Sequence, residues 1–153
     1  MNSNQLISFL KSKKQTLAVA ESITGGYAFY LLTKTPGSSK VFKLGVVAYT
    51  LFAKEKIFGL SKKHLSKTNG VSSETAKLLA LKIKKKAHSS IGAAIVGYAG
   101  PDAPKRQKGI VHMAVTKGKK TVVKSQKFRD SRDAIRKKAA QALITFIGEV
   151  IGI

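Results

Sequence analysis

The order of apolar runs predicts an α/β fold: a three-layer α/β/α arrangement with a mixed, mostly parallel sheet. Three observations predict it. Short apolar runs at 16–20, 44–49 and 92–97 alternate with stretches of helical periodicity, the order expected of a sheet with helices on both faces. The run 92–97 is apolar throughout, as a central strand covered on both sides requires. Two runs rich in β-branched residues, 110–115 and 121–128, are joined by Lys117-Gly118-Lys119-Lys120 and read as a hairpin, which supplies antiparallel strands.

The elements follow in order. Leu6, Ile7, Phe9 and Leu10 lie at helical spacing, so 3–14 is an amphipathic helix with Asn2 or Ser3 as its N-cap. The strand 16–20 runs directly into Glu21-Ser22-Ile23-Thr24-Gly25-Gly26, and a helix over 27–33 stops near Pro36-Gly37. The second strand, 44–49, precedes a short helix over 54–58 that ends at Gly59. A longer helix over 72–86 is capped by Ser72 or Ser73 and buries Ala76, Leu79, Ala80 and Ile83. After the third strand and the hairpin, a helix over 131–150 closes the chain. No internal repeat or linker-like stretch interrupts this order, so 1–153 reads as one domain.

Composition narrows the chemistry. The absence of cysteine removes disulfides, thiolate nucleophiles and Cys-based zinc sites. His64, His88 and His112 have no ligand spacing and acids are few, so neither a metal nor another cofactor is expected. The first residues lack a basic segment, and Leu6 to Leu10 is too short for a signal core or a membrane span; a cytoplasmic protein without membrane contact is the expectation. The formal net charge of +22 raises the question of nucleic acid. Arginine, the usual bidentate reader, occurs only at 106, 129, 132 and 136, and the lysines fall in runs scattered along the chain. They read as a dispersed solvated surface, and specific nucleic-acid binding is not expected.

A polar cluster at the end of a buried strand, followed by two glycines and a helix, can hold a phosphate or an oxyanion. Ser22 on its rim is a candidate nucleophile; the plainer reading is a tight turn into a capped helix. A serine needs a base, and no histidine is an evident partner, so a lysine held near neutrality by burial is the substitute. Tyr49 and Lys54 follow the second strand and fall at the same sheet edge if the strands are parallel, although a helix lysine is ordinarily solvated. Gly97-Tyr98-Ala99-Gly100-Pro101-Asp102 adds a second glycine-bearing loop there. Arg132 and Arg136 open the last helix, where they either reach a phosphate or pair along the helix face.

These stretches together resemble the C-terminal domain of the competence/damage-inducible protein CinA, also found as stand-alone nicotinamide mononucleotide deamidases. The resemblance rests on Ala20-Glu21-Ser22-x-Thr24-Gly25-Gly26, Thr35-Pro36-Gly37-Ser38-Ser39, Gly45-Val46-Val47-x-Tyr49 with Lys54, Gly70-Val71-Ser72, Gly97-x-Ala99-Gly100-Pro101 and Arg132-x-x-x-Arg136. It spans nearly the whole chain. The resemblance implies metal-independent hydrolysis of nicotinamide mononucleotide to nicotinic acid mononucleotide and ammonia. It implies Ser22 as nucleophile, Lys54 as general base and Tyr49 as a neighbour orienting the base or the amide. Thr24, Gly25 and Gly26 would serve the oxyanion, Arg136 the 5′-phosphate, and the Gly97–Pro101 loop, with Gly97 and Gly100, the pocket wall. It also implies a homo-oligomer.

The chain departs from the family pattern at Ile23, where cysteine is common, at Thr50-Leu51, where Ser-Asn is typical, and at Val96, where threonine is frequent. Asp102-Ala103-Pro104 follows Gly-Pro in place of a glycine-rich stretch. Two alternatives therefore stand beside the amidohydrolase: a nucleotide-binding module of the same fold that does not hydrolyse its ligand, and a basic nucleic-acid-binding protein.

Overall fold

The computed structural model describes residues 1–153. Its helices are α1 (Ser3–Ser12), α2 (Tyr27–Thr33), α3 (Leu51–Phe58), α4 (Lys62–Thr68), α5 (Ser73–Ala87) and α6 (Arg132–Ile151). Its strands are β1 (Leu17–Glu21), β2 (Phe42–Val47), β3 (Ile91–Gly97), β4 (Ile110–Lys117) and β5 (Lys120–Lys127), with a 3-10 turn at Ser38–Lys40. The sheet order is β2-β1-β3-β4-β5. β1 pairs in parallel with β2 and β3, and the β4–β5 hairpin continues the sheet antiparallel to β3. The expected mixed three-layer α/β/α fold is the observed one.

Register positions the site. Leu17 lies beside both Phe42 and Ile91, and Glu21 beside Val47 and Ile95. The three parallel strands therefore start along one edge of the sheet and finish along the other. The turn after β1, the entry to α3 and the loop after β3 converge at the finishing edge, where open α/β sheets bind ligands.

The two faces are packed unequally. A core of 25 buried residues, including Leu17, Val19, Ile91 and Ile95, lies under α1, α2 and α6. On the other face 13 buried residues suffice, because the strands present Ala18, Ala20, Ala94 and Ala114 and α5 settles close to them.

Three elements differ from the sequence reading. α3 begins at Leu51, since Thr50 Oγ1 accepts the Ala53 N–H and caps it there. β2 ends at Val47 and leaves Ala48 and Tyr49 in the connection. α4 was not anticipated; only Leu65 of its seven residues is buried, so it carries almost no apolar periodicity. No helix is long and apolar enough to cross a membrane.

Candidate active site

β1 delivers Glu21 and Ser22 to the finishing edge. The fully buried Glu21 carboxylate accepts the N–H groups of Gly26 and Ala28, both at 3.1 Å, and of Phe29 at 2.7 Å. It thus occupies the N-terminus of α2, where unpaired donors and the helix dipole favour an acceptor. Ser22 is held by its own N–H, which donates to the Ile95 carbonyl at 3.1 Å, and is 5% exposed.

Lys54 comes to Ser22 from α3. Its Nζ lies 2.9 Å from Ser22 Oγ, 2.8 Å from the Ala48 carbonyl and 3.4 Å from the Tyr49 carbonyl. The side chain is 2% exposed, and burial lowers its pKa from 10.5 to about 8. A neutral amine in this position donates to the two carbonyls and turns its lone pair toward the serine hydroxyl. At pH 7 a lysine of that pKa is neutral about a tenth of the time, against about one part in three thousand for an ordinary one. Ser22 and Lys54 thereby have the contact and the lowered pKa that a nucleophile–base pair of the Ser–Lys type requires.

The pair opens into a cavity of about 550 Å³, within the ordinary size range of small-molecule sites. Ile23, Leu51, Val71 and Pro101 give it apolar walls, and Asn69, Tyr98, Asp102 and Arg132 give it polar ones. The last residue of β3, Gly97, and the loop after it, through Ala103, line the cavity, Gly100 among them. The Arg132 guanidinium lies against Gly100, where an added Cβ would sit 2.5 Å from Nη1, and its Nη2 donates to the Tyr49 hydroxyl at 3.0 Å. Tyr49 thus meets Lys54 through its main-chain carbonyl, while its exposed ring lines the cavity mouth.

Other expected site residues stand elsewhere. Arg136 does not line the cavity: its Nε donates to the Ile23 carbonyl at 3.0 Å and its Nη2 to the Thr24 carbonyl at 3.4 Å. One helical turn earlier, Arg132 is the arginine that lines the cavity. Of the N–H groups expected to serve an oxyanion, Gly25's is taken by the Ser22 carbonyl and Gly26's by Glu21, while Thr24's donates to no protein acceptor. Thr24 is fully buried and its hydroxyl has no partner. The N–H groups of Ile23, Ala99 and Gly100, all cavity residues, likewise donate to no protein acceptor. Val96 is buried in the core beneath α5 and does not line the cavity, so a hydroxyl at this position would not face it. Ile23 and Leu51 do line it.

The sequence offers Arg132 only beside Arg136 and Tyr98 and Asp102 only as members of the glycine-bearing loop, and it does not point to Asn69 as a site residue. Asn69-Gly70 carried a signal, since both residues adopt positive φ, at 50° and 65°, in a turn that carries Asn69 to the Tyr98 hydroxyl. No group of three or more His, Cys, Asp or Glu side chains converges in a way that could hold a metal ion.

Comparison with known proteins agrees with this fold. The family model for the CinA C-terminal domain matches residues 2–151. A protein of Caldanaerobacter subterraneus subsp. tengcongensis that carries the competence-damage inducible name is 41% identical over 133 residues, 86% of this chain and 32% of its own. A CinA-like protein of Kosmotoga olearia is 37% identical over 144 residues, 93% of this chain and 35% of its own. The chain spans about a third of the length of the curated relatives it matches. Among solved structures, a competence-damaged protein (CinA) superfamily protein from Enterobacter cloacae superposes with a TM-score of 0.92 at 28% identity, covering 98% of this chain and 90% of that one. A competence or damage-inducible protein from Enterobacter asburiae gives 0.92 at 26% identity, covering 98% and 96%. The chain belongs to the CinA C-terminal domain family.

Proposed function

We propose that this chain is a metal-independent amidohydrolase that converts nicotinamide mononucleotide to nicotinic acid mononucleotide and ammonia. The single observation that carries the reading is the 2.9 Å contact between Ser22 Oγ and a buried Lys54 Nζ that two main-chain carbonyls orient. Neutral Lys54 takes the Ser22 proton as Oγ attacks the carboxamide carbon, and the carbonyl oxygen becomes an oxyanion. The free N–H groups of Ile23, Ala99 and Gly100 are its candidate donors. Protonated Lys54 then returns the proton to the departing nitrogen, which leaves as ammonia. Water, deprotonated by Lys54, cleaves the resulting ester and regenerates Ser22.

The lining supports a nucleotide substrate. Ile23, Val71 and Pro101 offer an apolar surface for the pyridine ring, Tyr98 and Asp102 favour its positive charge, and Arg132 suits the 5′-phosphate. Incubation with nicotinamide mononucleotide, following ammonia and the acid by chromatography, tests the reading. Wild-type protein is expected to form both products in equal amounts, and folded Ser22→Ala to form neither. Full turnover by Ser22→Ala would overturn it. Binding of the mononucleotide without any product would assign the cavity to a non-hydrolysing module.

A further inference from the structure

The sequence alone scatters the lysines, and the fold gathers many of them. Four segments meet along the edge of the sheet where β1, β2 and β3 start, opposite the Ser22 cavity. They are 11–16 before β1, 34–43 before and into β2, 84–91 before β3, and 117–121 at the β4–β5 turn. Register places them together, since Leu17, Phe42, Ile91 and Lys117 are lateral neighbours and Lys117 pairs with Lys120. Each segment carries three lysines and no acidic residue, and all seven Asp and Glu of the chain lie outside them. A composition bias acting evenly along the chain would mix the two signs; these four segments are acid-free. A cavity of about 310 Å³ opens within it, lined by Lys11, Lys14 and Lys40 with Gln15, Thr16 and Val41.

We propose that this lysine cap is a docking surface for the phosphate backbone of double-helical nucleic acid, recognised without regard to sequence. Five strands about 4.8 Å apart make an edge roughly 19 Å wide, close to the width of a duplex. The cap contains no arginine for bidentate base reading, so it supplies point charges to phosphates. None of the exposed large apolar side chains lies in the four segments; Tyr30, whose exposed ring lies 5.7 Å from Lys34 Nζ, stands at their margin, so the cap offers phosphates many charges but offers unpaired bases little stacking surface and a bilayer no wedge. A regular double row of phosphates is the polyanion that fits.

The test is fluorescence anisotropy of the full chain with labelled random-sequence 20-base-pair DNA over a range of salt concentrations. About five phosphate contacts predict a slope of log K against log salt near −4.5. Substituting the exposed Lys85, Lys86, Lys119 and Lys120 by Gln is expected to weaken binding more than tenfold and to flatten the slope. A control that removes the same charge at the opposite edge, Lys63→Gln, Lys67→Gln, Lys105→Gln and Lys108→Gln, is expected to change affinity less than twofold. Equal losses in both variants would overturn the proposal, because affinity would then follow net charge alone. Absence of duplex binding, or tighter cap-dependent binding to vesicles of phosphatidylserine, would overturn it as well. Amide hydrolysis is not part of the readout, so the outcome is independent of the reading of the Ser22 cavity.

Discussion

At the scale of single residues, the decisive group is Lys54. Its folded pKa of about 8 stands below the unfolded value of 10.5, so the unfolded chain binds more protons between those two values. Stability attributable to this group therefore rises as pH increases from about 8 toward 10.5 and is lowest below 8. Lys54→Met is expected to abolish turnover while raising the melting temperature at pH 7 by about 2–6 °C. Calorimetry should show that advantage shrinking as pH approaches 10. In the wild type, kcat/KM for the mononucleotide should rise tenfold per pH unit and level off near pH 8. A flat profile from pH 6 to 9 would remove Lys54 as the base. Arg132→Ala should raise KM for the mononucleotide by roughly tenfold or more, with a much smaller effect on the dephosphorylated nucleoside, because a charge-assisted phosphate contact is lost. Ser22 and Lys54 were legible in the sequence because each follows the end of a strand, and parallel strands end together. The choice between Arg132 and Arg136 was not, since residues four apart share one helix face and differ by a single turn.

At the scale of elements, the turn from β1 into α2 shows what sequence reading missed. Glu21 was legible as part of a polar cluster, but its role as the cap of α2 depends on donors five to eight residues later, brought back by the turn itself. Gly25 has φ of 59°, and a Cβ there would stand 2.5 Å from Arg136 Nη2. The turn therefore needs both the left-handed glycine and the arginine that holds its carbonyls. Glu21→Gln keeps the shape but turns an amide toward N–H donors, and is expected to cost about 2 kcal/mol in urea unfolding and to lower turnover by displacing Ser22. Loss of turnover with unchanged stability would mean that Glu21 acts on the reaction directly. α4 was invisible for the opposite reason: it exists through its Ser61 cap and one buried leucine, and such a segment has no periodic signature.

At the scale of the whole molecule, the order of strands and helices was readable because each strand carried its own apolar run. The charge distribution was not readable, because which lysines become neighbours depends on which strand ends share an edge. A chain of net charge +22 with four acid-free lysine segments along one edge repels itself in the folded state more than in the expanded one. The Debye length falls from about 30 Å at 0.01 M salt to about 8 Å at 0.15 M, so repulsion across the edge is largely unscreened at the lower value and mostly screened at the higher. Folding should accordingly become more favourable with salt, and the melting temperature should rise by several degrees between 10 mM and 150 mM sodium chloride. The cap variant with Lys85, Lys86, Lys119 and Lys120 replaced by Gln removes repulsion where no acid offsets it, so it should gain stability at 10 mM salt and lose that gain at 150 mM. The opposite-edge control removes lysines from a neighbourhood that includes Asp102 and Glu55, and should gain less. If both variants melt alike at low salt, the lysines of the starting edge are no more crowded than those elsewhere.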